Sequence, residues 1–174
     1  MLKNRSPAVS VPHLETARLT LREYRMTDFD TFAAHLADEK SMAFLGVNDR
    51  RTAWRIFGSN AGGWLLQGTG WWAIELRGSG VLVGNVGAFF REGWPAIELG
   101  WNTFRTFWGQ GIAREAATEV LRHVFEERGE GRATALVDAA NARSLRVAAH
   151  LGMTHESEVE LFGKPVGRYV KARS

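Results

Sequence analysis

The sequence predicts an α+β domain with a mixed, mostly antiparallel central sheet of six to seven strands and about four flanking helices. Three observations lead there. Short runs of β-branched and aromatic residues, punctuated by Gly-rich turns, read as strands. Three of them follow one another between residues 70 and 104 as a meander. Two later runs carry the helical period, and each is followed by another strand-like run.

Residues 1–13 carry Pro7 and Pro12 among polar residues and read as a flexible arm, which leaves a single domain over 14–174. "ARLTLREYR" (17–25) alternates Leu19 and Leu21 with Thr20 and Arg22, the pattern of a strand with one wet face. Thr27 or Asp28 suits the cap of a helix running to about Leu36. "DRRTAWRIFGSNAGGWLLQG" (49–68) places Trp54 and Phe57 at helical spacing and then meets Gly62-Gly63. A helix that breaks there, followed by a second short one, is the expectation. "GWWAIELR" (70–77) and "GVLVGNVGAFF" (80–90) form a hairpin, and "AIELGWNTF" (96–104) is the third strand of the meander.

In 112–129, Ala113, Ala116, Ala117, Val120, Leu121 and Val124 share one face of an amphipathic helix that ends at Gly129. "RATALVDA" (132–139) is a strand and "ARSLRVAAHLG" (142–152) a short helix. "HESEVELFG" (155–163) and "VGRYVKAR" (166–173) are closing strands.

The chain has 174 residues, 45% hydrophobic and 24% charged, which is a globular composition and not a disordered or fibrous one. No apolar run approaches the roughly 18 residues of a membrane span. Lys3 and Arg5 are followed by no apolar segment of the secretory kind. There are no cysteines, so disulfides and thiol chemistry are excluded, and a reducing cytoplasm is the expected location. The formal net charge of +3 comes without a basic cluster interleaved with aromatics, which argues against a nucleic-acid partner. No HxH spacing occurs, and no metal is expected.

The stretch that needs explaining is "WGQGIAREA" (108–116). It puts Gly109 and Gly111 at the mouth of a helix. A glycine inside a helix costs roughly 0.5–1 kcal/mol relative to alanine. The first amides of a helix have no internal partner and carry the positive end of its dipole, so bare backbone there suits a phosphate or pyrophosphate. A tight turn that only needs glycine explains the spacing equally well. The phosphate motifs GxxxxGK[ST] and GxGxxG are absent, and the strands ahead of the loop look antiparallel, unlike a dinucleotide-binding fold.

Three segments together resemble the GNAT acetyltransferase superfamily, most of all its Rim-type branch of ribosomal-protein-alanine N-acetyltransferases. They are "LETARLTLREYRMTDFD" (14–30), "ELGWNTFRTFWGQGIAREA" (98–116) and "NARSLRVAAHLGM" (141–153), in the family's order and spacing. The resemblance implies the GNAT fold, with the strands at 96–103 and 133–138 splayed at the acyl-CoA site. It implies acetyl-CoA as co-substrate and transfer of an acetyl group by direct attack in a ternary complex. The acceptor would be a primary amine, on a protein N-terminus or on a small molecule. A homodimer is compatible with it.

The family's loop is written [Q/R]-x-x-G-x-[G/A]. Gly111 and Ala113 fill its last two positions, while Trp108 stands at the first. The resemblance implies that Trp108, Gly109, Gln110, Gly111, Ile112, Ala113 and Arg114 hold the pyrophosphate, with Arg105 a further source of charge. Backbone groups of Leu99, Gly100 and Trp101 would pair with the pantetheine arm.

Acetyl transfer to an amine needs a base, a carbonyl polariser and an acid for the departing thiolate. Glu98, beside the presumed thioester site, is the candidate base, though a strand carboxylate can simply face solvent. Asn141 suits a helix N-cap, and the resemblance adds a contact with the CoA arm. The family's usual acid is a tyrosine in the following helix. None occurs between 141 and 153; the resemblance to the Rim-type branch offers Ser144 as the candidate acid, against a hydroxyl that only bonds its own backbone.

Trp64, Trp71, Trp72 and Trp94 flank the loops that shape the acceptor site in this family. Arg50, Arg51 and Arg55 hint at an acidic acceptor. A non-catalytic CoA-binding or regulatory module on the same fold is the alternative reading.

Overall fold

The structure, a computed structural model, describes residues 9–173. Among the described residues eight strands form one sheet, in the order β1-β2-β3-β4-β5-β6-β8-β7. They are β1 (Leu14–Glu15), β2 (Leu19–Arg22), β3 (Trp71–Leu76), β4 (Leu82–Phe89), β5 (Ile97–Thr103), β6 (Arg132–Val137), β7 (Thr154–Leu161) and β8 (Lys164–Ala172). Four helices join them: α1 (Phe29–Ala37), α2 (Arg50–Gln67), α3 (Ile112–Glu126) and α4 (Ala142–His150). Every neighbouring pair is antiparallel except β5 with β6.

The α+β class and the mixed, mostly antiparallel sheet agree with the sequence. The strand count is one above the expected six to seven, because β1 is a two-residue strand too short to alternate visibly. The arm assigned to 1–13 lies mostly outside the described residues. Within them, Val11 packs against the core and the Pro12 carbonyl accepts a hydrogen bond from Trp72 Nε1 at 2.8 Å.

The second helix does not break at Gly62-Gly63. α2 is continuous to Gln67 and ends at Gly68, whose φ of 64° terminates it. Tertiary packing outweighs the glycine propensity here. A Cβ on Gly63 would stand 2.9 Å from the Thr69 carbonyl oxygen, so glycine lets the chain turn back closely against the helix into β3. Trp64, the next residue, is buried against Trp72.

The main core lies between the sheet and α3. Ile112, Ala116, Ala117, Val120 and Val124 of α3 pack with Leu19, Leu21, Ile74, Val86 and Leu99. A second cluster unites α1 and α2 through Phe29, Phe32, Ala53 and Phe57, with the Tyr24 ring stacked on Phe57.

Candidate active site

The sheet opens at one place. β5 and β6 run parallel and pair only at Ile97–Ala133 and Glu98–Thr134, with Thr134 Oγ1 donating to the Ile97 carbonyl at 3.2 Å. From Leu99 onward β5 has β4 on one side and no pairing to β6 on the other. The peptide groups of that free edge need partners.

The chain leaves β5 through a short 3-10 turn, Arg105–Phe107, and reaches the glycine loop. Trp108 Nε1 donates to the Thr103 carbonyl at 2.7 Å, which ties the loop to the end of the strand. Gly109 has φ 77° and Gly111 φ 76°, the left-handed region that a side chain strains. Gly111 is the N-cap of α3, so the first amides of α3 have no acceptor within the helix. A Cβ on Gly109 would meet nothing within 4 Å. One on Gly111 would meet the guanidinium groups of Arg18 and Arg114 at 3.6 and 3.8 Å. The glycines therefore border open space, with cations beside it. Arg105 is paired with Asp38 at 3.2 Å.

A lock that the sequence reading did not assign holds this loop. The Glu115 carboxylate, in the first turn of α3, accepts hydrogen bonds from Thr16 Oγ1 (2.6 Å), the Arg18 amide (3.0 Å) and Arg18 Nε (2.7 Å). Arg18 also donates to the Gln110 carbonyl at 3.1 Å. Burial opposes ionisation of Glu115, but these donors outweigh it and hold the carboxyl below its ordinary range. About 97 residues separate the partners, so no local pattern reveals them.

Across the mouth, α4 begins after β6. Asn141 is its N-cap, with Oδ1 accepting from the Ser144 amide at 3.1 Å. Ser144 thus stands in the first turn of α4. Beside it, the Arg143 guanidinium lies 4.0 Å from the centre of the Trp108 ring.

Glu98 sits at the last paired position before the strands part. It is 7% exposed, not a solvent-facing strand carboxylate. Arg91 grips it with two bonds, Nε to Oε2 at 2.8 Å and Nη2 to Oε1 at 2.9 Å. On the same face, the Trp71 ring lies over Gly87 and Gly100, where a Cβ at either would come within 2.5 Å of it. Trp71 stacks on Phe89, the cross-strand neighbour of Glu98. Arg91 and Arg168 both lie over Trp94, at 5.9 and 5.6 Å. Trp71 and Trp94 therefore border the Glu98 region, whereas Trp64 and Trp72 belong to the core. Arg50 pairs with Asp30, and Arg55 with the Thr52 hydroxyl. A cavity of about 560 Å³ at the opposite ends of β5 and β6 is bordered by Pro95, Arg132, Glu156 and Arg168, away from the glycine loop.

These features meet the needs of a thioester carrying a diphosphate: a free strand edge, open left-handed glycines at a helix mouth, and guanidinium groups beside them. The model of the acetyltransferase (GNAT) domain matches residues 18–154, well over half the chain. This protein belongs to the GNAT acetyltransferase family.

The GNAT chain is similar to the uncharacterized protein YkkB of Bacillus subtilis, 29% identical over 160 residues that cover 90% of this chain and 93% of YkkB. Its fold matches an acetyltransferase of Agrobacterium tumefaciens with a TM-score of 0.87 and 29% identity, over 94% of this chain and 96% of that one. RimJ of Mycobacterium smegmatis, solved in complex with CoA-disulfide, has the same fold at 20% identity. Its TM-score is 0.72, with 88% of this chain and 81% of that chain covered. The GNAT chain is accordingly an acyltransferase enzyme, and Rim-type acetyltransferases are among its structural neighbours. Among the described residues no helix is long and apolar enough to cross a membrane, and no group of three or more metal-ligating side chains occurs.

Proposed function

We propose that this protein is an acetyl-CoA-dependent N-acetyltransferase that acts on a primary amine in a ternary complex. One observation carries the reading. The gap between β5 and β6 opens just past a gripped carboxylate, Glu98, and the glycine loop lies beyond the other end of β5, so the two flank one open strand edge. When bound, acetyl-CoA supplies an activated acetyl thioester, and transfer to the amine releases CoA thiol.

The chain's own groups have separable tasks. The free amides at Gly111 to Arg114 bind the diphosphate, with Trp108, Gly109, Gln110, Ile112 and Ala113 forming the rest of the loop. The edge of Leu99, Gly100 and Trp101 aligns the thioester arm as an added strand would, and Asn141 stands at the other side of the gap. Glu98 takes the proton that the acceptor ammonium must lose, directly or through a water. Its bidentate pairing with Arg91 fixes the carboxylate's direction. Ser144 relays to the departing thiolate the proton that the attacking nitrogen sheds as the amide forms, with the backbone turn around Asn141 setting its place.

The acceptor amine reaches Glu98 along the face bordered by Trp71, Phe89 and Trp94, which suits an apolar or peptide-like body. A protein N-terminus and a small-molecule amine both fit that description. The cysteine-free composition supports a cytoplasmic setting.

The test is a panel of amines and N-terminal peptides incubated with acetyl-CoA, with release of free thiol as the readout. Amine-dependent thiol release supports the reading. CoA binding with no transfer across the panel would leave the fold as a non-catalytic CoA-binding module.

A further inference from the structure

The loop signature of the family calls for Gln or Arg where this chain has Trp108. That replacement removes a polar side chain from the loop. The structure brings a cation back from elsewhere. Arg143, on the first turn of α4, rests with its guanidinium 4.0 Å from the centre of the Trp108 ring. The ring is itself fixed by its bond to the Thr103 carbonyl. A planar guanidinium on an indole face is a favourable and orienting contact.

Two further facts show where this cation is aimed. Trp108 follows β5 and Arg143 follows β6, so their contact spans the mouth of the gap between the splayed strands. Arg143 is also badly placed for α4 alone. A positive charge in the first turn opposes the helix dipole, and α4 has no acidic residue there to offset it. Arg114 lies in the first turn of α3, beside Gly111, where Glu115 offsets its charge. The uncompensated cation of α4, held over the mouth of the gap, is accounted for once an anion lies there.

We propose that Arg143, seated on Trp108, contacts the phosphates of the bound nucleotide and supplies the polar contact that the loop lacks at position 108. Trp108 is then the positioning residue, and Arg143 the contacting one. The inference rests on the acetyl-CoA reading above. It assigns a phosphate contact to a residue outside the glycine loop, on a different helix.

The experiment is calorimetric titration with acetyl-CoA at low and at high salt, for the wild type, Arg143→Gln and Arg143→Lys. Arg143 is exposed, so the fold should survive both changes, and circular dichroism verifies it. The expected result at low salt is an affinity lower by about tenfold in Arg143→Gln. The gap should narrow at high salt, because screening weakens an exposed charge contact. Arg143→Lys keeps the charge without the planar stack and should recover part of the loss. Trp108→Leu should weaken binding by a similar factor, and adding Arg143→Gln to it should cost little more. An Arg143→Gln affinity equal to wild type at low salt overturns the proposal, as does a loss that is the same at both salt concentrations. Wild type that fails to bind acetyl-CoA at all would overturn the cofactor reading instead.

Discussion

Arg18 and Glu115 meet across 97 residues of chain, with Arg18 Nη2 2.6 Å and Nε 2.7 Å from Glu115 Oε2. The pair joins the start of β2 to the head of α3, and Arg18 reaches on to the Gln110 carbonyl. Two of the segments that resemble the family are thus one device in space. Thr16 and Arg18 of the N-terminal segment hold the loop in which Gly109 and Gly111 lie.

Removing that lock should loosen the loop without touching the ligand. Glu115→Gln is expected to cost roughly 1 kcal/mol of stability, a shift of a few degrees in Tm. It should also weaken acetyl-CoA binding. Thermal denaturation and calorimetry measure the two effects separately.

The same carboxylate contributes to acid sensitivity. Glu115 and Glu23 both titrate below their ordinary range in the fold, Glu23 at about 2, because hydrogen bonds to the charged form outweigh burial. Their folded pKa lies below the unfolded one, so their contribution is complete above the unfolded value near 4.3 and is lost as pH falls through the folded one. Urea midpoints measured from pH 6 down to pH 3 should fall most steeply below about pH 4.5. The Glu115→Gln protein should show a shallower fall.

His35 adds a second pH dependence, nearer neutrality. Its ring is buried, packs against Phe104, and among the described residues has a hydrogen-bond partner for neither nitrogen. Burial lowers its pKa, and the nearby Asp38 opposes that only partly. The unfolded chain therefore takes up a proton first as pH drops below about 6.5, and stability declines there. His35→Leu should remove that decline between about pH 6.5 and pH 5, as read by denaturant midpoints.

At the chemical centre, Glu98→Gln should lower kcat by about a hundredfold or more while leaving acetyl-CoA affinity near wild type. The change leaves Arg91 half satisfied, at a cost of about 2 kcal/mol, so Tm should be recorded alongside. Ser144→Ala should reduce kcat with the start of α4 intact, because the Ser144 amide remains bonded to Asn141.

Gly100→Ala tests the floor under Trp71. Its Cβ would stand 2.5 Å from the ring, so the indole must shift. A loss of about 1–3 kcal/mol is expected, with a change in amine preference larger than the change in acetyl-CoA affinity.

Much of this was legible in the chain. Alternation marked β2, apolar β-rich runs between Gly-rich turns marked β3 and β4, and the period of 112–129 marked α3, which buries one continuous face. The glycine pair marked the loop, because left-handed backbone at a helix mouth has a narrow choice of residues. The continuity of α2 through Gly62-Gly63 was not legible, since it depends on how closely Thr69 returns to the helix. Burial of Trp64 and Trp72 was equally hidden, because a tryptophan near a loop looks the same whether it faces in or out. The partners Arg91 for Glu98, Arg18 for Glu115 and Arg143 for Trp108 are pairings in space. The composition of each segment does not report them.

The central claim is that bare backbone at Gly111 exists to receive a diphosphate, and one calorimetric comparison tests it most directly. Purified wild type and Gly111→Asp are titrated with acetyl-CoA, with circular dichroism confirming the fold of each. The added carboxylate would stand against Arg18 and Arg114 and place negative charge at the mouth of α3. Micromolar or tighter binding by wild type, abolished in a folded Gly111→Asp, is the predicted result. Equal affinity in the two proteins would contradict it and leave the glycine as a turn residue only.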